Sequence, residues 1–166
     1  LGVWKEFSWA NNMSTAYWPF LSAFIIGFNA GLFEELFFRM FGLSWGKKIF
    51  RNTVVAVIFM SFFWGFAHSG HPVYPMWFRG IEVGCIGLFM SFIYLKFGII
   101  PTLVGHFLFN VFWNSAGFLF GKTQLIYLLS ILGVLALPLF WAFIAFLINK
   151  KVVEKPMTWK LNKAQQ

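Results

Sequence analysis

Between Leu125 and Ile148 the chain carries no charged side chain. A helix needs about 20 apolar residues to cross the hydrocarbon core of a bilayer, and this run supplies them. Pro138 falls inside it and is expected to kink the helix. Four further apolar runs precede it: about Tyr17–Leu43, Val54–Ala67, about Gly80–Leu95, and Ile100–Phe120. The second of these is short, which suits a tilted or partly re-entrant element. Composition agrees with the runs. Of 166 residues, 60% are hydrophobic and 23% aromatic, and only 11% are charged, against about 25% in an ordinary soluble domain. The mean hydropathy is +0.74. The expected fold is all-α: a polytopic, multi-pass membrane helix bundle of about five transmembrane helices.

Punctuation between the runs follows simple signals. Pro19 suits a first helical turn. Gly46 to Arg51 reads as a basic loop, SGHPVYP as a turn or re-entrant loop, and Lys96, Gly98 and Pro101 as a tight connection. Gly80-x-x-x-Gly84 and Gly87 put small residues at a spacing that lets helices approach closely. Trp4 and Trp9 suit a membrane interface. The chain opens on Leu1 rather than Met, so a fragment or processed chain lacking upstream helices is expected, and no signal-peptide pattern opens it. Cys85, the single cysteine, has no disulfide or metal-site partner; it is expected as a packed small residue on the glycine-rich face.

The net charge of +8 raises nucleic-acid binding, but the placement of the charges argues for membrane topology instead. With five spans, Lys47, Lys48, Arg51, Lys96 and the tail residues Lys150, Lys151, Lys155, Lys160 and Lys163 share one side, leaving Lys5, Arg79 and Lys122 on the other. Positive loops stay in the cytoplasm. Membrane lipid is therefore an expected partner and nucleic acid is not.

Against this apolar background, GLFEELFFRMF (residues 31–41) is the anomaly. Each ionisable residue at the centre of a membrane helix costs roughly 2.5–3.5 kcal/mol, and such residues mark function by default. Glu35 and Arg39 stand at i, i+4 and can pair. Glu34 points elsewhere around the axis, free to face a cavity and act as a general base toward water. Two more groups follow: His68, closing WGFAH, and His106 with Asn110 in HFLFN, again at i, i+4. An imidazole and a carboxamide aimed at one point both donate hydrogen bonds, as an oxyanion site requires.

Plainer readings compete residue by residue. Asn110 can serve as interhelical glue, His68 as an interfacial residue, and Arg39 as a side chain snorkelling toward the basic loop. His71 reads as a loop residue, and Glu82 as the i, i+3 partner of Arg79. Glu34 and Glu35 together resist such accounts, because one arginine cannot neutralise both. Histidines plus glutamate also admit zinc. The helical signature H-E-x-x-H is absent, although ligands from three helices can still converge.

Three motifs in this order resemble the CAAX protease and bacteriocin-processing (CPBP, Rce1-like) family of intramembrane proteases. E-E-x-x-x-R is matched by Glu34 to Arg39. F-x-x-x-H is matched by Trp64 to His68, with Trp64 in place of the usual Phe. H-x-x-x-N is matched by His106 to Asn110. The resemblance covers about Phe20 to Phe120. It implies a bundle enclosing a conical cavity open toward the cytosolic side, and glutamate-dependent hydrolysis of peptide bonds in membrane-associated, lipidated or peptide substrates, without a cofactor. By motif position, Glu34 and His68 activate water, His106 and Asn110 stabilise the oxyanion, and Glu35 with Arg39 supports the site. Prokaryotic members are linked to bacteriocin maturation, immunity or regulation, which places the chain in a bacterial cell membrane.

The resulting division is an N-terminal segment 1–16, a protease core 17–120, a transmembrane helix 121–149 and a basic cytoplasmic tail 150–166. Competing functions are a non-catalytic membrane scaffold or immunity partner, a zinc-dependent membrane protease, and a polar-lined transport path.

Overall fold

The computed structural model describes residues 4–5, 18–70 and 73–149. The readings of Trp9, His71 and the tail lysines lie outside these. The chain divides into two units, Leu1–Leu135 and Ala136–Gln166. The first contains β1 (Trp4–Lys5), α1 (Pro19–Phe50), α2 (Thr53–Ala67), β2 (Val73–Tyr74), α3 (Met76–Phe97), α4 (Ile99–Asn114), α5 (Ala116–Phe120) and the first part of α6 (Leu125–Ile148). Within the second, α6 continues from Ala136 and holds Pro138 in its interior. β1 and β2 form one short antiparallel pair, Trp4 opposite Tyr74. The rest is helical, as the apolar runs predict.

α1 begins with Pro19 in its first turn and runs on through the segment expected as a basic loop. Gly46 does not break it. A Cβ there would lie 3.2 Å from that of Ala56 on α2, so this glycine serves close packing. The chain reverses in two residues instead. Arg51 takes a left-handed conformation, φ 51°, and Asn52 caps α2, its side-chain oxygen accepting from Val54 N (2.8 Å) and Val55 N (3.2 Å). Such a cap contributes about 1 kcal/mol.

The middle of α1, Ala30–Leu43, is wound as π-helix, with N–H groups bonded to carbonyls five residues back. Buried residues recur every fourth position from Pro19 through Ala23, Gly27, Gly31, Glu35 and Arg39 to Leu43. Around an α-helix, with about 3.6 residues per turn, a four-residue step drifts by about 40°. The wider π turn drifts the other way, so the mixed winding keeps one stripe facing the bundle. The ion pair of the acidic motif lies in that stripe.

Glycines set the distances between helices. A Cβ on Gly65 of α2 would collide with the backbone of Gly80 and Gly84 on α3, so the predicted close approach is made, with Gly65 as the partner. Ser61 and Ser91 share a buried hydroxyl bond of 3.2 Å across the same pair. On the other side, α1 lies against α4, where a Cβ on Gly31 would be 3.3 Å from Leu103 O and Phe107 N. A core of Ala23, Val111 and Val134, flanked by Phe20, Phe24 and Phe107, closes this side.

Two expectations change here. Cys85 is exposed: Gly84 and Gly87 turn inward toward α2, and Cys85 falls on the opposite flank of α3. The predicted run Ile100–Phe120 is divided at Ser115 (φ −97°, ψ 3°), just after Asn114 turns its amide back to donate to Asn110 O at 2.7 Å.

The outside of the helices is apolar. Phe33, Phe37 and Phe41 on α1, Phe59, Phe63 and Phe66 on α2, and Leu139, Phe140 and Trp141 on α6 are all exposed. Patches of this extent suit lipid, not water. Among the described residues, three helices are long and apolar enough to cross a membrane: Pro19–Phe50, Met76–Phe97 and Leu125–Ile148. α2 and α4 are apolar but shorter, at 15 and 16 residues.

Candidate active site

The site is built from α1, α2 and α4. Its buried half is an ion pair with a histidine attached. Glu35 and Arg39 are 0% and 1% exposed, with Glu35 Oε1 3.1 Å from Arg39 Nη1. Arg39 therefore does not snorkel. Its guanidinium lies 4.1 Å from the centre of the Trp64 ring, a cation–π contact. The same Glu35 Oε1 lies 2.6 Å from His106 Nδ1. A carboxylate can only accept, so Nδ1 carries the proton, and the bond fixes both the tautomer and the direction of the ring.

The second half opens outward. Glu34, next in sequence to Glu35, has a side chain 27% exposed. Its Oε2 accepts from the indole N–H of Trp64. It also lies 3.6 Å from His68 Nε2 and 4.0 Å from His106 Nε2. His68 is oriented from behind. It caps α2, and its Nδ1 is 2.8 Å from the carbonyl of Trp64, four residues earlier. A carbonyl only accepts, so Nδ1 again carries the proton and Nε2 is turned to Glu34. The W-x-x-x-H spacing thus satisfies one of the carbonyls left over at a helix end and aims the imidazole with the same bond.

Both histidines present Nε2 to one carboxylate oxygen from opposite helices. The separations of 3.6 and 4.0 Å exceed a direct hydrogen bond and suit a small molecule held between the three groups. Among the described residues, no group of three or more His, Cys, Asp or Glu side chains has the arrangement of a metal site.

Glu34, His68 and His106, the first three candidates from the sequence, are brought together. Asn110 stands one turn beyond His106 on α4, half-buried; its carbonyl receives Asn114. The structure adds two connections that sequence reading missed: the bond from Glu35 to His106, and the Trp64 indole bond to Glu34. The second had a signal, an N–H-bearing ring where the motif carries Phe. Outside the site, Arg79 pairs with Glu82 at 2.8 Å, as expected.

Residues 16–112 match the sequence model of a family described as type II CAAX prenyl endopeptidase Rce1-like. A curated relative, the sporulation-killing factor biosynthesis protein SkfC of Bacillus subtilis (strain 168), is 30% identical over 78 residues, which is 47% of this chain. The chain spans only 16% of that protein's length. No solved structure matches the chain significantly. The family match covers Glu34, His68 and His106, and with the apolar helices it makes this a membrane protein. The chain belongs to the Rce1-like family of type II CAAX prenyl endopeptidases.

Proposed function

We propose that the chain carries the active site of an intramembrane, glutamate-dependent endopeptidase. The observation that supports this best is the convergence of His68 Nε2 and His106 Nε2 on Glu34 Oε2, at 3.6 and 4.0 Å. Glu34, with His68, takes a proton from a water held between them, and the water attacks the peptide carbonyl; the tetrahedral intermediate then collapses, the C–N bond breaks, and the proton held by Glu34 passes to the leaving amine. His106 donates to the resulting oxyanion from Nε2. Because its Nδ1 proton is committed to Glu35, it can do so only as an imidazolium, whose charge Glu35 balances. Asn110 supplies a second donor from the next turn of α4. Glu35 and Arg39 hold His106 in place.

The substrate is a peptide or lipidated peptide that reaches the site from the membrane. The name of the Bacillus subtilis relative, a biosynthesis protein for sporulation-killing factor, supports a maturation cut in a bacterial cell membrane. The core 17–120 holds the machinery, 121–149 adds a span and 150–166 a cytoplasmic tail.

The test is mass spectrometry of membrane peptides from cells making wild-type or Glu34→Gln protein. The expected result is a set of cleavage products present only with the wild type. Identical peptide profiles, with a Glu34→Gln protein that still complements the cell, would identify a scaffold instead.

A further inference from the structure

We propose that Trp64 is a positioning residue that holds the Glu34 carboxylate in front of the two imidazoles. The inference rests on the reading of Glu34 as the base. Indole Nε1 is a donor only, and it donates to Glu34 Oε2, the oxygen that also faces His68 and His106. Glu34 is an unbranched side chain with 27% of its surface exposed, so it has rotamers directed away from the histidines. The indole bond selects against them. Trp64 itself is fixed, being 4% exposed. Its ring is edge-on to His68 (5.0 Å) and His106 (5.6 Å) and face-on to Arg39.

The phenylalanine that the family motif carries here could keep these ring contacts but not the bond. The indole needs more room, and α3 provides it. A Cβ on Gly87 would lie 3.0 Å from Trp64 Cε3. Trp64 and Gly87 thus form a matched pair, a larger ring opposite a residue with no side chain. The ring gives this chain a direct constraint on its base, and through Arg39 it joins the half-buried Glu34 to the buried ion pair.

Two readouts test the proposal on the full chain in detergent micelles. Indole 15N–1H spectra report the bond itself. The sequence has nine tryptophans, and the signal lost in Trp64→Phe belongs to Trp64. Glu34→Ala removes the acceptor and should move that signal upfield; if no indole signal moves, the proposal is overturned, whether or not Trp64→Phe folds well. The second readout is kinetic, on the peptide that the wild-type protein cuts. Trp64→Phe should lower kcat about ten-fold while leaving KM within about two-fold, because the lost bond orients the base and does not bind substrate. A wild-type kcat in Trp64→Phe beside an inactive Glu34→Gln overturns this inference alone. An active Glu34→Gln protein overturns the reading of Glu34 as base, and the inference with it.

Discussion

Glu34 and Glu35 are neighbours with opposite surroundings. Glu35 is fully buried between Arg39 and His106, while Glu34 stands at the opening with Trp64 and two imidazoles. Substitutions should therefore separate them. Glu34→Ala should abolish cleavage and leave the protein folded, since the residue removed is partly exposed and, although the Trp64 indole N–H loses its acceptor, His68 and His106 keep theirs in the Trp64 carbonyl and Glu35. Glu35→Ala should cost less activity per folded molecule but more stability, because Arg39 loses its carboxylate. Stranding one partner of a buried ion pair typically costs about 3–5 kcal/mol. Thermal melts beside cleavage rates check this; a greater activity loss in folded Glu35→Ala than in Glu34→Ala would reverse the assignment. Chelators should leave cleavage unchanged, and a loss restored by added zinc would make the site a metalloprotease. Much of this was legible in the sequence. The i, i+4 spacing gives the Glu35–Arg39 pair, and the separate bearing of Glu34 follows from the helical turn. The bond from Glu35 to His106 was not legible, because the two residues lie 71 positions apart and local periodicity carries no information across that distance.

At the scale of elements, two devices position the site. The mixed α and π winding of α1 keeps every fourth residue inward from Pro19 to Leu43, and so presents Glu35 and Arg39 in line with Gly27 and Gly31. Glycine contacts then bring α1 close to α2 and to α4, so that side chains from these three helices meet. Gly65→Ala should destabilise the protein by about 1–3 kcal/mol, the usual cost of overpacking, since its methyl group would press on the backbone of α3. Gly105→Ala is the control: nothing lies within 4 Å of a Cβ there, and the change should be neutral or slightly stabilising. Equal unfolding midpoints for the two in detergent would show that the α2–α3 contact is not tight. Glycine is also where sequence reading fails. Gly46 reads from the sequence as the start of a basic loop, and only the position of Ala56 makes it a contact residue inside a helix. For the same reason the basic residues Lys47 and Lys48 belong to the end of α1 and not to a loop. The indole of Trp64 was read for its aromatic ring, and the N–H that sets it apart from phenylalanine gained meaning only once Glu34 was placed beside it.

For the molecule as a whole, charge and depth make a further prediction. Lys47, Lys48 and Arg51 gather where α1 gives way to α2, and Lys96 lies at the end of α3. His68 closes the opposite end of α2, about 22 Å away at about 1.5 Å per residue. If the basic turns are cytoplasmic, as positive charge favours, His68 lies on the half of the membrane away from them, unlike the cytosol-open cavity that the family resemblance implies. In a Cys85→Ser background, a membrane-impermeant maleimide added to intact cells should label Ser69→Cys and spare Lys48→Cys; labelling of Lys48→Cys alone would invert the topology. The central claim, that Glu34 activates the attacking water, is tested most directly by the cleavage rate of purified, folded Glu34→Gln protein on the peptide that the wild type cuts. The expected result is a fall of about 10²–10⁴-fold, the usual contribution of a positioned general base. A rate within a few-fold of wild type would contradict the claim.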